Sequence, residues 1–113
     1  MRKLVEIRSY TLKPGTREKF HRLVCELSLP MLKRWGVDVV AFGPSPHDEV
    51  SYYLIRAYDS LEHRQSSQDA FYGSAEWRDG PREAIVSLID SHTSIVLEPD
   101  SPTVDGLRKK DES

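Results

Sequence analysis

The sequence predicts a two-layer α+β domain of the ferredoxin-like class, with the element order βαββαβ. Three observations predict it. Stretches rich in β-branched and aromatic residues recur at 4–12, 37–43, 50–58 and 92–97. The intervening segments, 17–35 and 61–90, carry helical spacing and helix-start signals. Proline and glycine punctuate the junctions at Pro14-Gly15, Gly36, Pro44, Gly73 and Gly80-Pro81.

The first strand, 4–12, ends at Lys13-Pro14-Gly15, and Thr16 is a suitable N-cap for the helix that follows. Across 17–35 the apolar residues Phe20, Leu23, Val24, Leu27, Met31 and Trp35 recur every three or four positions, which marks one buried stripe. Pro30 inside that helix predicts a kink, because it removes a backbone donor and crowds the preceding turn. Gly36 supplies the C-terminal stop. After a second strand, Pro44-Ser45-Pro46-His47-Asp48 makes a rigid polar loop before the third. Asp59-Ser60 then caps a helix over 61–72, a short turn of helix follows at 75–79, and another helix covers 82–90 before the last strand. Residues 1–99 thus form one domain. Residues 100–113, polar and broken by Pro102 and Gly106, read as a disordered tail.

Composition narrows the function classes. The chain has 113 residues, enough for one domain, and is 38% hydrophobic and 30% charged, as globular proteins are. A formal charge of -2 offers no basic field for nucleic acid or an anionic membrane. No apolar run approaches the ~20 residues of a membrane span, and the first residues lack a signal-peptide core, so a cytoplasmic location is expected. One cysteine, Cys25, excludes an internal disulfide. His21, His47, His63 and His92 fall in no metal-binding spacing, so neither a metal nor a cofactor is expected.

A two-layer domain leaves one sheet face bare, and alternation along the strands suggests what lies there. Val5 and Ile7 are expected to face the helices, with Glu6, Arg8 and Tyr10 on the open face. Val39, Ala41, Tyr53, Ile55, Ala57, Ile95 and Leu97 likewise read as inward. Val40, Phe42, Leu54, Arg56, Tyr58, His92, Ser94 and Val96 read as outward. Such a mixed surface is one that monomers rarely leave in water, so a homodimer through the open face is expected. Arg8 and Arg56 have two readings: an Arg–Glu network with Glu6 that stitches the dimer, or an anion-binding pocket.

Glu6-Ile7-Arg8-Ser9-Tyr10-Thr11-Leu12-Lys13-Pro14-Gly15, followed by Leu29-Pro30, resembles the NIPSNAP family. So do Ala57-Tyr58-Asp59-Ser60-Leu61, Glu76-Trp77 and the ending Leu97-Glu98-Pro99. The resemblance implies a dimeric α/β barrel, in which two protomers pack sheet against sheet around a cavity. Its wider superfamily includes cofactor-free monooxygenases and haem-handling proteins, and the family itself has no agreed reaction.

The expected ligand-binding set is therefore Arg8, Tyr10, Arg56, Tyr58 and His92, around a small anionic or aromatic molecule in an intersubunit cavity. His92 is the best acid–base candidate, since imidazole titrates near neutrality. A cofactor-independent monooxygenase-like or haem-handling enzyme and a non-catalytic protein-interaction module are the alternatives. The catalytic residues are not identified. Cys25 reads as a small buried hydrophobe, and Trp35 and Trp77 as core residues. Base stacking on the strand aromatics is disfavoured, because the third strand lacks the RNA-recognition signature.

Overall fold

In the computed structural model, which describes residues 3–108, four strands form one antiparallel sheet in the order β2-β3-β1-β4. The elements are β1 (Leu4–Leu12), α1 (Arg17–Leu23), a π-helical segment (Val24–Ser28), α2 (Leu29–Arg34), β2 (Asp38–Pro44), β3 (Ser51–Tyr58), α3 (Leu61–Gly73), α4 (Ala75–Arg78), α5 (Arg82–Val86), β4 (Ile89–Leu97) and α6 (Ser101–Leu107). The predicted βαββαβ plan is present, with β1 and β3 as the central pair. Ser60 and Ser74 cap α3 and α4 by accepting from the amides of His63 and Trp77.

Pro30 is accommodated without a break. It lies at the start of α2, directly after the π turn, whose wider hydrogen bonding relieves the donor that proline lacks. The π segment also shifts the helical register. Phe20, Val24, Met31 and Leu32 are buried, whereas Leu27 and Trp35 leave the predicted stripe and are exposed. Trp35 Nε1 instead donates to Glu76 at 2.8 Å on the surface. The segment expected to be helical over 82–90 is shorter, because β4 begins at Ile89 and pairs with the end of β1.

Two apolar clusters lie on opposite sides of the sheet. Between sheet and helices are Tyr10, Leu12, Phe20, Val24, Leu32, Tyr52, Leu54, Phe71, Trp77 and Ile85. On the far side are Val5, Val40, Ala41, Ile55 and Ala57, together with Val104 of α6.

This reverses the expected faces of β1, β3 and β4. Glu6, Arg8, Tyr10, Leu54, Arg56 and Tyr58 lie on the helix side, as do His92 and Ser94, while Ile55 and Ala57 lie on the open side. Ile95 (59% exposed) and Leu97 (42%) follow the same reversed parity. The physical reason is compensation: the charged strand residues are buried with polar partners from α3, so the usual rule that the apolar parity faces the helices fails. In β2 the irregularity between Val39 and Ala41 changes parity within the strand. Val39 and Phe42 pack with the helix-side cluster, Val40 and Ala41 with the other.

The expected disorder after Pro99 is also corrected for the described residues. Asp100 Oδ1 accepts from the Thr103 amide at 2.9 Å, starting α6, and Val104 is fully buried against the sheet. Arg108 then grips Asp38 with two bonds of 2.7 and 2.9 Å. Residues 109–113 of the expected tail lie outside the described residues.

Candidate functional site

Cross-strand pairing places Glu6 of β1 opposite Arg56 of β3, so their side chains emerge on the same face of the sheet. Glu6 Oε1 accepts from Arg56 Nη2 at 2.6 Å. Its other oxygen, Oε2, accepts from Arg64 at 2.8 Å and from Gln68 at 2.9 Å. Arg64, Gln68 and Tyr72 are spaced four residues apart, which puts all three on the sheet-facing side of α3. Tyr72 Oη accepts from Arg56 Nη1 at 2.8 Å.

Arg8 joins this cluster on poorer terms. It stands 3.5 Å from Glu6 Oε2 and donates to Ser94 at 3.3 Å, Tyr72 at 3.4 Å and Gln68 at 3.4 Å. These lengths are beyond the usual range for good N–H···O bonds. Yet its side chain is only 14% exposed. Three guanidinium groups around one carboxylate leave an excess of two positive charges in the cluster. Arg56 Nε is also buried without a hydrogen-bond partner.

Electrostatics follow from this crowding. Burial raises the Glu6 carboxyl, but Arg56, the Gln68 hydrogen bond and Arg8 outweigh it and hold the group at about 2. Burial alone would lower the Arg56 guanidinium, but the Tyr72 oxygen that accepts from Nη1 and the Glu6 carboxylate on Nη2 hold it above the ordinary arginine value. Burial pushes the Tyr10 and Tyr58 phenols up, so both stay protonated.

Arg8 opens onto a pocket of about 420 Å³ between the β1–β4 edge and α3–α5. Tyr10, Tyr72, Trp77 and Ile85 form its walls, with Arg82, Asp90 and His92 also lining it. The size is within the range of small-molecule sites. A second cavity of about 40 Å³ lies behind it and shares Tyr10, Tyr72, Trp77 and Ile85 as a common wall.

Of the sequence-predicted residues, the fold brings Arg8, Tyr10 and His92 together at this pocket. The Tyr10 and His92 rings lie 6.0 Å apart. Arg56 stands behind Tyr72, and Tyr58 lies away from the pocket, accepting from Gln68 at 3.2 Å. The pocket lies within one protomer, between sheet and helices, and not on the open face where these residues were expected. Sequence reasoning missed Arg64, Gln68, Tyr72, Arg82 and Asp90. A signal existed for the first three: 61–73 has almost no apolar stripe, so a helix there has to meet polar groups on the sheet. Cys25 is exposed, not buried, and its Sγ lies 3.7 Å from His21 Nε2.

The NIPSNAP family profile matches residues 5–102, which span the strands that build the pocket. The chain belongs to the NIPSNAP family. Among solved structures, this NIPSNAP chain is similar to an uncharacterized NIPSNAP domain protein from Burkholderia xenovorans. The two are 22% identical, 87% of this chain and 95% of that chain are covered, and the TM-score is 0.75. A NIPSNAP family protein of unknown function from Agrobacterium tumefaciens is 21% identical, with 87% and 88% covered and a TM-score of 0.78. A candidate antibiotic biosynthesis monooxygenase from Nitrosomonas europaea shares the fold at 15% identity, with 88% and 92% covered and a TM-score of 0.68. No curated protein matches the sequence. Among the described residues, no helix is long and apolar enough to cross a membrane.

Proposed function

We propose that this NIPSNAP protein binds a small organic anion in the pocket beside Arg8. The observation that carries the reading is Arg8 itself: a mostly buried cation whose nearest carboxylate is already taken, facing an open cavity. Leaving such a charge under-partnered is costly, and a carboxylate or phosphate oxygen pair suits the guanidinium fork. Tyr10 supplies a wall, and His92 a further polar group in the lining. Arg56 acts through Tyr72 and Glu6 as a positioning residue. Thermal melting with formate, acetate and phosphate at fixed ionic strength tests this. The anions are expected to raise the midpoint of the wild type and not of Arg8→Met. An equal rise in both would overturn the proposal.

A second copy is the proposed partner, through the open sheet face. Ile95 and Leu97 are exposed there, and Ile7 lies between their strand and the cluster covered by α6. An exposed free thiol at Cys25 accords with a reducing, cytoplasmic setting.

One observation favours an enzymatic second reading. The fold is shared with a candidate monooxygenase, and the pocket pairs His92 with aromatic walls. In that reading His92 takes a proton from a bound substrate that then reacts with oxygen without a cofactor. Oxygen consumption on adding substrate would support it. A non-catalytic interaction module would bind no small molecule at all.

A further inference from the structure

We infer that the anion is an aromatic monocarboxylate, held with its carboxylate on Arg8 and its ring in the corner made by Tyr72 and Trp77. The inference rests on the anion-binding reading above and adds the chemistry of the rest of the ligand.

Three features of the pocket converge on this class. The first is the fork. Arg8 points its donors at neutral oxygens of Ser94, Tyr72 and Gln68, all at 3.3–3.4 Å. A planar carboxylate can accept two parallel bonds from such a group, replacing long contacts by charge-assisted ones. The second is the wall. The Tyr72 and Trp77 rings meet edge to face with centroids 5.3 Å apart and an interplanar angle of 80°. The Arg8 guanidinium stands 5.8 Å from the Tyr72 ring centroid. A ring whose carboxylate is on Arg8 therefore enters beside these two and meets them in tilted or edge-on contacts, which aromatic quadrupoles favour. Ile85 extends the apolar surface inward, towards the smaller cavity behind the shared wall.

The third feature limits the charge. Arg8, Arg82 and Asp90 all line the pocket, so two cations face one carboxylate and a single positive charge is left in excess. A ligand with one anionic end can place it on Arg8 and present only its neutral ring to the remaining walls. A dianion such as phosphate exceeds that balance by one charge, with Asp90 in the same pocket, and leaves the aromatic corner uncovered. Like charges at close range cost binding, and so does exposed apolar wall that a ligand fails to cover.

The test is a chemical-shift titration of the full chain with four probes: benzoate, acetate, benzyl alcohol and inorganic phosphate. Benzoate is expected to bind at least about tenfold more tightly than acetate, from the apolar ring area it buries. It should exceed benzyl alcohol by about the same factor, from the charge-assisted bonds. Arg8→Met should reduce benzoate to the level of benzyl alcohol. Val86→Glu, on a half-exposed residue lining the pocket, should weaken benzoate several-fold while leaving the core untouched. If acetate or phosphate equals benzoate and all are lost in Arg8→Met, the aromatic class is wrong and the anion site stands. If benzyl alcohol equals benzoate and Arg8→Met changes neither, the anion-binding reading itself fails. No saturable shift with any probe overturns both.

Discussion

Arg8 reaches only to 3.5 Å from the Glu6 carboxylate, because Arg56 and Arg64 already hold that carboxylate at 2.6 Å each. One fully buried acid thus organises three cations unequally. Two are bound tightly within the fold, and the third is left facing the pocket.

If Glu6 neutralises the cluster, Glu6→Gln leaves three guanidinium groups between sheet and helices without an anion. The expected cost is about 3–5 kcal/mol, the range for breaking a buried ion pair from one side. Urea unfolding measures it, and a loss well under 1 kcal/mol would contradict the network's role.

The same carboxylate makes stability depend on acidity. Its folded value of about 2 lies below the ordinary 4.5, so its contribution is complete above the unfolded value. That contribution declines as the pH falls from 4.5 through about 2, by on the order of 3 kcal/mol in all. Unfolding free energies across that window should fall steeply for the wild type and less steeply for Glu6→Gln. Parallel slopes would refute the assignment.

Much of the fold was legible in the sequence, and the reasons are local. Pro14-Gly15, Gly36 and Gly80-Pro81 mark chain reversals by backbone chemistry alone, so the element order could be read directly. The faces could not. β1 offers Leu4, Val5 and Ile7 on both parities, and only the polar side of α3 reveals that Glu6 and Arg8 turn inward. Arg8, Tyr10 and His92 were legible as a group because strand pairing fixes their relation: Tyr10 lies opposite His92, and Arg8 opposite Ser94. Trp77 and Tyr72 come from separate helices, which no strand register could place. The α6 signal was present in Asp100-Ser101-Pro102, an N-cap followed by proline in the first turn, but the segment is short and polar.

Because α6 anchors through one apolar side chain, Val104→Asp should detach it and cost about 2–4 kcal/mol. Arg108→Ala, which removes a half-exposed pair with Asp38, should cost less than about 1 kcal/mol. Limited proteolysis after Pro99 should accelerate only in the first variant. Equal protection in both would show that Val104 does not hold the helix.

For the open face, Leu97→Glu places a charge among the exposed apolar residues without touching the pocket. Light scattering at micromolar concentration should report a dimer for the wild type and a monomer for the variant. A monomeric wild type would refute the proposed partner.

The most direct measurement follows the Arg8 Nε–H resonance of uniformly nitrogen-labelled protein while benzoate is added. Binding at this guanidinium predicts a saturable shift of Arg8, with the Arg64 resonance nearly still because Glu6 holds it. An Arg8 signal that does not move at saturating benzoate would contradict the anion-binding account.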